Sequence, residues 1–143
     1  MKPNDLLSLE CVTIRLSVRS RQGERMPRAS GLNWGQRPGR EQNQAYLPVS
    51  SEIQTSNFFP ATGVEFKLAT DDGESWICAR RQANGKAIHT IEDNSILGKY
   101  FRRRLGVDLD DAVVMAHLER YGRSSIEIYK INEHSFFMDF SRN

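Results

Sequence analysis

The sequence predicts a mainly β protein, with about seven short strands closing into an open β-barrel and two short α-helices. Three observations carry that reading. Short runs of alternating apolar and polar residues recur along the chain. Turn dipeptides such as Asp72-Gly73 and Asn84-Gly85 interrupt them, and only two segments read as helices. A curved sheet of short strands without internal repeats buries its apolar faces most simply by closing on itself.

Residues 11–18, CVTIRLSV, alternate with β-branched enrichment and predict the first strand. AYLPV (45–49) returns to extended structure. Ser51 with Gln54 three residues later has capping-box spacing, opening a helix of about two turns that Pro60 and Gly63 close. VEFKLAT (64–70) and SWICARRQ (75–82) alternate on either side of Asp72-Gly73, predicting a hairpin with a two-residue turn. In SILGKYFRRRLG, Ile96, Leu97, Tyr100, Phe101 and Leu105 share a helical face between Asn94 as N-cap and Gly106 as the left-handed stop. Lys99, Arg102, Arg103 and Arg104 gather toward that helix's C-terminus, where cations complement its dipole, so a structural role is expected of them. AVVMAHLERYG, SSIEIYKI and SFFMDF read as three closing strands joined by turns at Gly122-Arg123 and Asn132-Glu133, with Phe136, Phe137 and Phe140 divided between core and exterior.

The chain has 143 residues, enough for one domain with a real core, taken as 1–143 with the folded part at about 11–140. No apolar run reaches the roughly 18 residues of a membrane helix. MKPNDLLSLE lacks the features of an export signal, so a cytoplasmic location without membrane attachment is expected. Cys11 and Cys78 lie far apart in strand-like runs without metal-ligand spacing, so buried free thiols are expected, with no metal and no cofactor.

Residues 19–44, RSRQGERMPRASGLNWGQRPGREQNQ, are too long, polar and basic for an ordinary connection. Arg19, Arg21, Arg25, Arg28, Arg37 and Arg40 stand against only Glu24 and Glu41. Asn33, Gln36, Gln42, Asn43 and Gln44 add amides that can donate and accept at base edges, around a single Trp34 in GLNWG. A second basic arm spans 80–90, where Arg80, Arg81 and Lys86 have no acidic neighbour. The two arms carry plus seven while the remainder carries minus five, a polarity that attracts a polyanion. Solvated linkers of coincident charge are the bland alternative.

Taken in order, SGLNWGQR, REQNQAYLPV, FFP, DDG followed by an arginine-bearing strand, NSILGKYFRRRLGV and LERYGR resemble a known domain. It is the DNA-recognition domain at the C-terminus of restriction endonucleases whose nuclease belongs to the phospholipase D superfamily, the NgoFVII and BfiI type. The resemblance covers about Cys11 to Phe140. Such domains are similar to the plant auxin-response-factor DNA-binding domain and to the EcoRII effector domain, together called DNA-binding pseudobarrels. It implies a seven-stranded pseudobarrel whose N-arm (19–44) and C-arm (80–90) grip the major groove from either side.

The nuclease itself is missing from the pattern, since His89, His117 and His134 each lack a lysine two residues on. Glu65-Phe66-Lys67 has the ExK spacing of metal-dependent nucleases, but no aspartate lies between Asp5 and Asp71 to complete a metal site. The expected function is therefore sequence-specific binding of double-stranded DNA as the recognition module of a restriction system, with cleavage left to a separate nuclease domain or subunit. A nuclease built on Glu65 and Lys67, or an RNA-binding barrel using Trp34 to stack bases, are the alternatives. Arg37, Gln36, Asn33 and Gln44 on the first arm, and Arg81, Gln82 and Asn84 on the second, are expected to read bases. Arg19, Arg21 and Lys86 are expected on phosphates, with Arg25, Arg28, Arg40 and Gln42 completing the surface and Trp34 anchoring the arm.

Overall fold

The computed structural model describes residues 8–142. The first seven residues of the segment read for an export signal lie outside the described residues. The strands in chain order are β1 (Cys11–Arg15), β2 (Val18–Ser20), β3 (Gly23–Arg25), β4 (Leu47–Pro48), β5 (Phe66–Thr70), β6 (Ser75–Arg81), β7 (Ala87–Thr90), β8 (Ser125–Asn132) and β9 (Ser135–Asp139). Three α-helices accompany them: α1 (Ser51–Gln54), α2 (Ser95–Leu105) and α3 (Met115–Tyr121). No described helix is long and apolar enough to cross a membrane.

Seven strands make one sheet in the order β1-β8-β9-β5-β6-β7-β4, and β2 pairs with β3 as a separate hairpin. All neighbours are antiparallel except β5 and β9, which run parallel with Leu68 opposite Phe136. The sheet curls until its edge strands, β1 and β4, face each other across an open groove lined by Ile14, Arg15, Val18, Val49 and Ile53. It is a nearly closed barrel, which covers the apolar face that the period-two pattern gives each strand.

Strand alternation fills the interior. Ile14, Phe66, Leu68, Ile126, Ile128, Phe136 and Met138 are buried, while Lys67 and Glu65 point outward. Phe58, Phe59, Phe66 and Phe136 pack at centroid distances of 4.9–5.6 Å. Burying each such ring contributes about 1.5–3 kcal/mol. Helix α2 plugs the barrel with Leu97, Tyr100, Phe101 and Leu105. It stops at Gly106, whose φ of 71° is the left-handed cap that glycine takes without strain. Asn94 stands at its N-cap, as expected, but makes no side-chain capping bond; the Asp93 carboxylate accepts from the Ser95 amide and hydroxyl instead.

Polar groups tie the helix to the sheet. Arg104 donates to both carboxylate oxygens of Asp71 at 3.0 Å, and to Tyr100 Oη, Tyr121 Oη and the Phe140 carbonyl. Arg102 is fully buried and donates to the carbonyls of Asp111 and Gly98. The arginines near this C-terminus therefore divide, with Arg102 and Arg104 internal and Arg103 exposed.

Several local expectations change. AVVMAHLERYG is not a strand: Met115–Tyr121 is helical, burying Leu118 and Tyr121 three residues apart and ending at Gly122. The seventh strand is instead β7, within the stretch assigned to the second arm. Helix α1 is one turn, and its cap is Ser50, whose hydroxyl accepts from the Ile53 amide. The β5–β6 connection is Asp71–Glu74 rather than two residues, because Thr70 rather than Asp71 closes the ladder onto Glu74. Both cysteines are free, but Cys11 is exposed, and only Cys78 is buried, its thiol pushed up to about 12 by desolvation.

Candidate nucleic-acid interface

Strand directions place the two basic connections. β1, β5, β7 and β9 run one way and β4, β6 and β8 the other. The β1–β4 connection therefore leaves one end of the sheet, and the β6–β7 connection leaves the opposite end.

The first connection is structured. β2 and β3 pair Arg19 with Glu24, leaving Arg21 at the turn, and Arg19, Arg21, Arg25 and Arg28 are all exposed. Glu24 accepts a hydrogen bond from Ser17, which holds its carboxyl below the usual range. A 3-10 segment, Gly31–Gln36, then packs Leu32 into the core. Glu41 also bonds within the arm, accepting from the Asn43 amide and side chain. Both acids are thus engaged locally, while the arginines stay exposed.

Amides anchor the arm's root. Asn33, expected at a base edge, is buried: its Nδ2 donates to the carbonyls of Pro27 and Val113, and its Oδ1 accepts from the Val113 amide, each at 2.8 Å. Gln36 Nε2 donates to Gln42 O at 2.9 Å and Asp110 O at 3.1 Å. Asn43 bonds side chain to side chain with Asp110 and also accepts the Asp110 amide. Asn33 and Gln36 therefore hold the arm against residues 110–113, and buried Asn33, with its amide donating to two carbonyls, has no donor left for a base. Arg37, Arg40 and Gln42 remain exposed, and Gln44 and Trp34 half-buried.

The second connection has its own internal support. Arg80, assigned to the binding surface from sequence, is 7% exposed and donates to the carbonyls of Gly85, Asn84, Pro60 and Gln54. It shapes the loop from inside. Arg81, Gln82, Asn84 and Lys86 are exposed around it. Gln82 adopts φ 68°, ψ 177°, a region almost reserved for glycine that costs about 1–3 kcal/mol and persists only where neighbours fix it.

Those neighbours lead to His89, which sequence reasoning passed over because it weighed histidines only for catalysis. Its Nε2 lies 3.2 Å from Gln82 Nε2, and its Nδ1 lies 3.4 Å from Asn94 Oδ1. The amide donates to one ring nitrogen, and the other donates to Asn94. Burial pushes the imidazole pKa down, which keeps it neutral and suits it to accept that bond. Trp34 of the first arm meets the ring edge-on at 5.0 Å, and Tyr46, just past that arm, stacks on it at 5.8 Å. The arms rooted at opposite ends of the sheet thus meet on one side chain. A histidine within the apolar run AIHT was the available signal, since a buried imidazole needs partners.

Glu65 and Lys67 flank buried Phe66 on the outer face of the sheet, where they line a groove with Glu92, Trp76 and Ile77. Among the described residues no group of three or more His, Cys, Asp or Glu side chains is placed to hold a metal.

The sequence profile of the NgoFVII C-terminal B3-like DNA-binding domain matches residues 7–132, most of the chain. No curated protein sequence matches it. A nearly closed, curled seven-stranded sheet is consistent with that match, and the chain belongs to the family of the NgoFVII C-terminal B3-like DNA-binding domain.

Proposed function

We propose that the domain reads a specific sequence of double-stranded DNA with both arms in the major groove, as the target-recognition module of a restriction system. Cleavage belongs to a separate nuclease domain or subunit, the location is cytoplasmic, and no cofactor takes part. The observation that carries this reading is the pair of arms, exposed arginines with locally engaged acids, standing at opposite ends of the sheet and joined at His89. The four residues of β7 separate the arm roots by about 13 Å at the usual strand rise, comparable to the roughly 12 Å width of the major groove.

The RNA-stacking alternative is weakened by Trp34 itself. The Arg40 guanidinium covers one face, 3.8 Å from the ring centroid, and Tyr46 and His89 pack against the indole, which favours an anchoring role over base stacking. The experiment is an anisotropy titration with duplex DNA, each single strand and the matching RNA duplex. Preference for duplex DNA is expected, and equal or tighter binding of single strands overturns the reading. In the same preparation, plasmid should stay uncut with magnesium or manganese. Cutting that disappears in Glu65→Ala would restore the nuclease alternative.

A further inference from the structure

Among the exposed arginines of the first arm, Arg40 has its guanidinium plane fixed. One face lies over Trp34, 3.8 Å from the ring centroid, and Nη1 donates to Gln44 Oε1 at 3.1 Å. Its Nε and Nη2 have no partner among the described residues and lie on an exposed side chain. Arg37 instead uses its Nε on the Ala29 carbonyl.

The loop carrying Arg40 is closed by backbone. Gly35 N donates to Gln44 O at 2.8 Å, and Gln44 N donates to Glu41 O at 3.1 Å. A Cβ at Gly35 would stand 2.2 Å from Glu41 O, so only glycine permits the closure. Beneath it, Trp34 is seated on Tyr46 and His89, and His89 holds Gln82 of the second arm.

We propose that Arg40 is a base-reading residue, its planar fork set by Trp34 and Gln44 to make a bidentate contact with the major-groove edge of guanine. The Trp34–His89–Gln82 contacts fix that fork relative to the second arm, so that the arms read bases at a set spacing. This rests on the duplex-reading function proposed above. A fixed guanidinium loses less rotational freedom on binding than a free one, and its two parallel donors match guanine O6 and N7. A lysine would keep the charge and lose both the stack and the fork.

The test is selection from a library of random duplexes by the parent, Arg40→Lys and Trp34→Leu, followed by affinities for the parent's selected site and for a scrambled duplex. Arg40→Lys should lose preference at one G·C pair and bind the selected site roughly 5- to 150-fold more weakly. Binding to the scrambled duplex should change by less than about twofold, because the charge remains. Trp34→Leu should reproduce that pattern with Arg40 intact, which a merely electrostatic role for Arg40 would not do. If the parent enriches a site and Arg40→Lys returns it unchanged, this inference fails while the duplex-reading function stands. If the parent enriches nothing, both fail.

Discussion

The indole of Trp34 meets the imidazole of His89 edge to face, centroids 5.0 Å apart and planes at 85°, and through this contact the first arm touches the strand that leaves the second. Aromatic pairs of this kind contribute about 0.5–1.5 kcal/mol beyond burial. His89→Ala removes two of them together with the Gln82 bond, and should destabilise the domain by about 2 kcal/mol. Amide exchange should accelerate in residues 31–46 as well as 82–86. Acceleration confined to the second connection would contradict a shared joint.

The same histidine gives stability a pH dependence. Burial lowers the pKa of His89, and also that of His117, in the folded state. Their contribution is therefore fully present above the unfolded value of about 6.5 and is lost as pH falls through that value toward the folded one. Each histidine can add at most about 1.4 kcal/mol per pH unit over that interval. Melting measured from pH 8 to pH 5 should show the decline, and His89→Phe, which cannot titrate, should remove its share of the slope. An unaltered slope would contradict a neutral, buried His89.

Stability should also depend on the Arg104–Asp71 pair, whose side chains are 13% and 16% exposed. Removing one partner of a mostly buried pair costs about 3–5 kcal/mol, because the other charge and its bonded hydroxyls are stranded. Arg104→Ala should approach that loss in urea melts, whereas exposed Arg103→Ala should cost under about 0.5 kcal/mol. Equal effects would mean that the helix end is held by dipole charge alone.

Much of this architecture was legible in the chain because burial imposes period two on strands and leaves a glycine after a helix. Phe66 and Leu68 alternate with Lys67, and Gly106 marks the end of α2. Helix α3 was hidden by its β-branched entry at Val113 and Val114 and by an unusual cap: Val114 holds the N-cap position where a serine or aspartate would be expected, and His117 Nδ1, three residues on, accepts the Val114 amide where a capping box has Glu or Gln. Charge singled out the two connections, but it did not separate their exposed residues from their internal props. Asn33 and Arg80 have the chemistry of base readers and equally of internal props, and only the fold reveals that Val113 and Gly85 occupy their donors. The joint at His89 depends on contacts between residues 34, 46, 82 and 89, which no spacing rule connects.

Salt should expose the electrostatic part of the interface. Exposed Arg19, Arg21, Arg25, Arg28, Arg37, Arg40, Arg81 and Lys86 bring about six to eight cationic side chains near the phosphates, whether they contact the backbone or reach past it to bases, so affinity should fall by roughly a thousandfold or more between about 50 and 200 mM salt. Lys86→Ala should lower the slope of log affinity against log salt by about one. Arg80→Ala should instead reduce stability, since its donors serve Gly85 and Pro60. A flat salt response would remove the basis for the arms as a polyanion site.

The most direct measurement is selection of binding sites from random duplexes by the parent, Arg37→Ala, Arg81→Ala and Lys86→Ala. Arms that read bases should yield one enriched sequence for the parent, relaxed at one or two positions by Arg37→Ala and at different positions by Arg81→Ala. Each lost contact is worth about 1–3 kcal/mol of discrimination. Lys86→Ala should keep the sequence and weaken all duplexes alike. If all three variants return the parent's preference unchanged, the arms are a basic clamp and the reading surface lies elsewhere on the barrel.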